Sequence, residues 1–181
     1  MIKTIVDDIM RDRAMRRGVL VSVLVGACLL PIAGRTEDNG LVEHKTLSLG
    51  LAADLAEAAL QSCQEADFQV AVAVVDRFGV LQVLLRDRYA GPHTPDTARR
   101  KAWTAVSFRT DTQSLVNLTS PDSPQGAARD ITGALMLGGG VPIEAGGAIV
   151  GGVGVSGAPG GEQDDRCARD GIDAVLEQLE F

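Results

Sequence analysis

Leu51, Leu55 and Ala59 recur at four-residue intervals, with Ala52 and Cys63 flanking the same stripe. That period predicts a helix ending near Glu65, with Thr46 or Ser48 as its N-cap. The next run, "FQVAVAVVDRFGVLQVLLRD", places apolar β-formers on both sides of "DRFG". It predicts a hairpin with strands over 68–75 and 80–86 and a turn built on Asp76 and Gly79.

The stretch "TPDTARRKAWTAVSF" returns to a helical period. Thr94 suits the N-cap, Pro95 the first helical position, and Asp96 the positive end of the dipole. Ala98, Ala102, Ala105 and Val106 make the apolar stripe, with Lys101 and Trp103 at its flanks and Arg99 and Arg100 mostly outside it. Asp111 starts a shorter helix, "TQSLVNL", and Pro121 and Pro124 make 119–130 a loop. In "ITGALMLGGGVPIEAGGAIVGGVGVSG" three short strands fit, over 134–137, 141–143 and 148–155, with "EAGG" turning between the last two. A final amphipathic helix carries Ala168, Ile172, Val175, Leu176 and Leu179 on one side. The order is α-β-β-α-α-β-β-β-α. Hairpins dominate it, so the expected fold is α+β: a mainly antiparallel five-stranded sheet with packed helices, over 46–181.

Before this domain the pattern changes. Arg11, Arg13, Arg16 and Arg17 precede the apolar run "GVLVSVLVGACLLPIAG", and "RTEDNG" follows. A basic segment, a short apolar segment and small residues at its end predict a secretory signal over 1–34, with an uncleaved anchor as the alternative. The run is marginal against the roughly 20 apolar residues a permanent span needs. Residues 35–45 are polar and read as a loose arm. Export gives a periplasmic or secreted protein. It leaves Cys63 and Cys167 as the mature cysteines, where a disulfide is permitted, but two simply buried thiols are the favoured expectation.

Composition narrows the chemistry. The chain is 45% hydrophobic but only 3% aromatic, with 21 glycines, so small aliphatic residues and glycine make the core. Its formal charge of −7 opposes a nucleic-acid partner, which needs a basic face. Catalytic patterns are sparse: no P-loop or dinucleotide fingerprint occurs, and Ser156 in "GVGVSGAP" lacks the surroundings of a nucleophile elbow. His44 and His93 are the only histidines, and neither stands at metal-ligand spacing with another donor. The basic trio Arg99, Arg100 and Lys101 is the anomaly in an acidic protein. Arg99 and Arg100 diverge by about 100° on a helix, while Arg99 and Trp103, four apart, can stack. A cation beside an indole, next to a loop with Tyr89 and His93, suits a planar ligand bearing carboxylates. The alternative is a solvated helix face.

These motifs in order, "AVAVVDRFGVLQVLLRD", "AGP", "ARRKAWTAVSF" and "GGGVPIEAGGAIVGGVGVSGAPGGEQDD", resemble the GlcG/HbpS-type family of haem-binding proteins, and most of all its secreted members. The resemblance covers essentially all of the domain. It implies haem, or its iron, as the cofactor and a homo-oligomer, with an octamer possible. A haem-degrading activity has been attributed to the group, and a related domain is appended to corrinoid adenosyltransferases. The family's "K-A-x-T-A" motif falls on Lys101, Ala102, Thr104 and Ala105, and its next threonine on Thr112. Its glycine-rich motif falls on Gly139, Gly140, Pro142, Gly154, Ser156 and Gly157, and its acidic helix start on Asp164. One departure stands out: where the family often has Arg-Met-Asp-Gly-Ala, this chain has Arg86, Asp87, Arg88, Tyr89 and Ala90.

The expected function is therefore an exported haem-binding protein with its pocket near the basic helix over 95–108. His93, Arg99, Arg100, Lys101, Thr104 and Thr112 are the candidate binding residues. His93 or His44 is the candidate iron ligand, since histidine is the commonest one. The competing expectations are an enzyme that degrades haem or acts on a small carboxylate, and a binding module for another small anion such as a corrinoid. A binder ranks above an enzyme because acid-base residues are few. No membrane contact is expected beyond the N-terminal segment.

Overall fold

The structure, a computed structural model, describes residues 40–180. The signal or anchor expected over 1–34 lies outside the described residues. The chain divides into two units, 1–43 and 44–181, and the second carries every element below.

Helix α1, Leu49–Glu65, starts where expected: the Ser48 hydroxyl accepts from Leu51 N–H at 3.2 Å. Strands β1, Ala71–Asp76, and β2, Leu81–Arg86, pair antiparallel. Their turn rests on Asp76, whose carboxylate accepts from Phe78 and Val80 N–H. Helix α2, Thr94–Phe108, begins one residue earlier than expected. His93 occupies the cap position with no side-chain cap, and Thr94 instead donates to Gly91 O at 2.8 Å. Helix α3, Thr112–Leu118, is capped by Asp111, which accepts from Ser114 N–H at 2.7 Å. A 3-10 turn, Gly126–Asp130, follows, and then the hairpin of β3, Gly140–Ala145, and β4, Ala148–Ser156. Gly146 and Gly147 form its two-residue turn, both at positive φ, as a type I′ hairpin requires. Helices α4, Gly161–Ala174, and α5, Leu176–Leu179, end the chain.

The α+β class and the antiparallel sheet are as expected, but the sheet has four strands, in the order β2-β1-β4-β3, and not five. The segment expected as a strand over 134–137 forms none because its polar groups are already engaged. Leu135 N–H donates to the Thr104 hydroxyl, and Ala134 O accepts from Arg100. Ala134 and Met136 pack with Leu115 beside Trp103, not on a strand.

The sheet separates two apolar layers. One face, with Val72, Val74, Val153 and Val155, packs on α1 and α4 in the main core. The other meets α2 through Ala71 and Ala73 against Ala98, and Val75 against Ala102 and Val106. On that face β4 presents Gly152 and Gly154. A Cβ on Gly152 would meet Val106 Cγ2 at 2.6 Å, and one on Gly154 would overlap Ala98 O. Glycine here lets the helix backbone lie directly on the strand.

The expectation of two free thiols is corrected. Cys63 of α1 and Cys167 of α4 are buried, and they form a disulfide with Cα atoms 5.4 Å apart. The two helices lie side by side on one sheet face, and that placement alone brings together residues 104 apart in sequence.

Candidate functional site

A cleft of about 430 Å³ opens where the first half of α2 faces the start of α4. His93 and Thr97 form one side, Leu135 and Leu137 another, and the loop 157–161 a third. Lys101, Asp164 and Ser156 reach it from the interior.

Lys101 lies on the α2 face that meets the sheet and is fully buried. Its Nζ donates to Asp164 Oδ2 at 2.7 Å and to Val155 O at 2.8 Å. Asp164 is in the first turn of α4, and its other oxygen accepts from Ala158 N–H at 3.0 Å. Burial lowers the Lys101 pKa and raises that of Asp164; in each case the opposite charge of the partner works against the shift. Gly139, at φ +109°, passes over this pair, where a Cβ would meet Asp164 Cβ at 2.5 Å and Lys101 Nζ at 3.1 Å. The pair thus joins α2, β4, α4 and the glycine-rich segment in one buried polar node.

The other candidate residues scatter. Arg99 does not stack on Trp103; it pairs with Asp96 at 2.8 Å on the surface. Arg100 lines the cleft, but its guanidinium donates to Gly133 O and Ala134 O. Thr104 donates to Arg100 O at 2.7 Å while accepting from Leu135 N–H at 2.9 Å. Thr112 accepts from Gly140 N–H at 2.8 Å. Both threonines are buried and pin the 134–140 segment onto α2 and α3; neither lines the cleft. His44 is exposed elsewhere, its ring edge-on to Phe78 at 5.7 Å. The cleft therefore collects His93, Arg100 and Lys101 and leaves out Arg99, Thr104, Thr112 and His44.

Sequence reasoning did not single out Thr97, nor the loop 157–161 as a wall. The signal was available in "SGAPGG" ahead of an acidic amphipathic helix, a turn that feeds a helix N-terminus. Among the described residues no three His, Cys, Asp or Glu side chains converge to cage a bare metal ion. What the cleft does offer is one exposed imidazole at its rim, aliphatic walls and a polar floor. That donor set fits the edge of a large planar ligand carrying its own metal better than it fits a free ion.

Comparison with known proteins shows what the chain as a whole is similar to. Residues 47–173 match the family described as "Haem degrading protein HbpS-like". A double mutant of Streptomyces reticuli HbpS is 40% identical, with a TM-score of 0.72, over 81% of this chain and 97% of that one. A structure described as the PduOC:heme complex is 30% identical, with a TM-score of 0.66, over 71% and 94%. The corrinoid adenosyltransferase PduO of Salmonella typhimurium is 32% identical over 67% of this chain. The chain spans about a third of that relative's length, 36%.

Proposed function

We propose that this chain, which belongs to the HbpS-like family, is an exported haem-binding protein whose ligand seats in the cleft between α2 and α4. The observation that carries this reading is His93. It is an exposed imidazole in the lining of a cleft that Leu135 and Leu137 also line. A haem supplies an iron open to an axial nitrogen and an apolar ring face. In this chain His93 would furnish the nitrogen, and the leucines with Ala158 and Pro159 would shield the ring from water. The described relative in complex with heme supports the choice of ligand. Binding ranks above catalysis because the buried titratable groups at the floor, Lys101 and Asp164, are committed to each other.

Export is supported by the Cys63–Cys167 disulfide, since such bonds persist in oxidising compartments. Among the described residues no helix is long and apolar enough to cross a membrane. Self-association is supported by the β1–β2 hairpin, which exposes Phe78, Val80, Leu81 and Leu84.

Haemin titrated into the purified chain tests the reading. A saturable Soret shift at stoichiometric haemin is expected, and its absence overturns haem binding. Protein-dependent loss of the Soret band over time with reductant, together with iron release, would shift the reading to haem degradation.

A further inference from the structure

The three cations of the basic helix each have partners within the chain: Arg99 with Asp96, Arg100 with two carbonyls, and Lys101 with Asp164. Arg100 spends two of its five N–H groups on those carbonyls and keeps its charge at the cleft wall, so an anion entering there meets Arg100 and calls for further donors beside it. Helix α4 has them. Gly160 occupies its cap position with no side-chain cap, and its first backbone bond runs from Asp164 N–H to Gly160 O at 3.2 Å. Geometry leaves the N–H groups of Gly161, Glu162 and Gln163 without helical partners, at the positive end of a 14-residue helix. Gly160 and Gly161 line the cleft.

A second observation is independent of the helix. Ser156 is 5% exposed, lines the same cleft, and makes no side-chain hydrogen bond among the described residues. It is paired with Ala71 in the register of β4, and Ala71 faces α2, so Ser156 points to the α2 side of the sheet, where the cleft lies. The residue is nearly buried, and its unpartnered hydroxyl opens into the cleft as an unused donor to the ligand space. Of the two acidic residues in this first turn, Asp164 has its charge held by Lys101, and Glu162 is exposed and outside the cleft lining.

We infer that the Ser156 hydroxyl and the uncapped N-terminus of α4 form a seat for a ligand carboxylate. For the ligand's identity the inference rests on the haem reading, in which the carboxylate is a propionate. His93 would then take the metal at the mouth and the α4 end the acid group. Helix N-termini take carboxylates because their N–H groups and dipole favour negative charge.

The test compares haemin with haemin dimethyl ester on the wild type, Ser156→Ala and Gly160→Asp. The Gly160 backbone, φ −159° and ψ 165°, suits any residue, and a Cβ there meets only the movable end of Gln163, Oε1 at 2.9 Å. An aspartate there would cap the helix in cis and occupy the seat. The wild type should prefer haemin over its ester by about tenfold, and each variant should lose about tenfold in haemin affinity with ester affinity unchanged. Gly160→Asp should keep or raise the melting temperature, which separates loss of the seat from misfolding. Equal affinity for acid and ester, with both variants binding like wild type, overturns the seat and leaves haem binding standing. A wild type that binds no haemin overturns the haem reading instead. Succinate, followed by amide chemical shifts, then decides the seat alone. Saturable shifts at Gly161, Glu162 and Gln163 that vanish in Gly160→Asp support it, and no shifts overturn it.

Discussion

Lys101 Nζ lies 2.7 Å from Asp164 Oδ2, and both side chains are almost wholly buried, 63 residues apart in the chain. This contact ties the helix beneath the cleft to the helix at its end. Removing one partner leaves a buried charge alone. Asp164→Asn should therefore cost about 3–5 kcal/mol at neutral pH, seen as a lower urea midpoint with an unchanged slope. The same change should be nearly silent in a Lys101→Met background.

The pH dependence of Asp164→Asn follows from the sign of the Lys101 shift. Burial lowers its pKa below 10.5, and in the variant the opposing charge of Asp164 is gone. Between that lowered value and 10.5 the unfolded chain holds a proton that the folded chain has released, so stability rises with pH across that window. The variant should be more stable at pH 9 than at pH 7 by chemical denaturation. A flat or falling profile would show that Lys101 is not held in a desolvated site.

The disulfide crosses between α1 and α4 inside the main core. Replacing Cys63 and Cys167 together by alanine should cost about 2–4 kcal/mol and abolish the difference between oxidised and reduced unfolding curves. Alkylation of Cys63 and Cys167 in the oxidised, denatured protein would refute the bond.

Gly154 lies where α2 presses on β4. Gly154→Ala puts a methyl into the space of Ala98 O, backbone that cannot swing aside. Overpacking of this kind costs about 1–3 kcal/mol or more, with a matching fall in melting temperature. Gly147→Ala, with nothing near its Cβ, meets no such obstacle and should be much milder, its cost coming only from positive φ.

His93→Ala should weaken haemin binding at least about tenfold, equivalent to roughly 1.4 kcal/mol, and alter the Soret position. His44→Ala, on the exposed segment beside Phe78, should leave both unchanged. Equal losses in the two variants would remove His93 from its proposed role.

Most of the local structure is written in short stretches of the chain. The stripes of α1 and α2, the Asp76 turn, the Asp111 cap and the two-glycine turn at "EAGG" each follow from short-range chemistry, since caps, turns and periodicity involve residues a few positions apart. The α+β class and the resemblance to the haem-binding family follow from the order of these pieces. The site was only partly legible. His93 was identifiable as a histidine beside a basic helix. The partners of Arg99, Arg100 and Lys101 were not, because a charge's role depends on what tertiary packing brings within hydrogen-bond reach. Lys101 reads like its neighbours in "ARRKAW", yet helix rotation on a glycine-surfaced strand turns it inward to Asp164, while Arg99 stays at the surface. The same long-range packing decided that Ala134 to Leu137 would serve Thr104 and Arg100 and not a fifth strand. It also closed Cys63 onto Cys167, and left Ser156 and the start of α4 as open donors in the cleft.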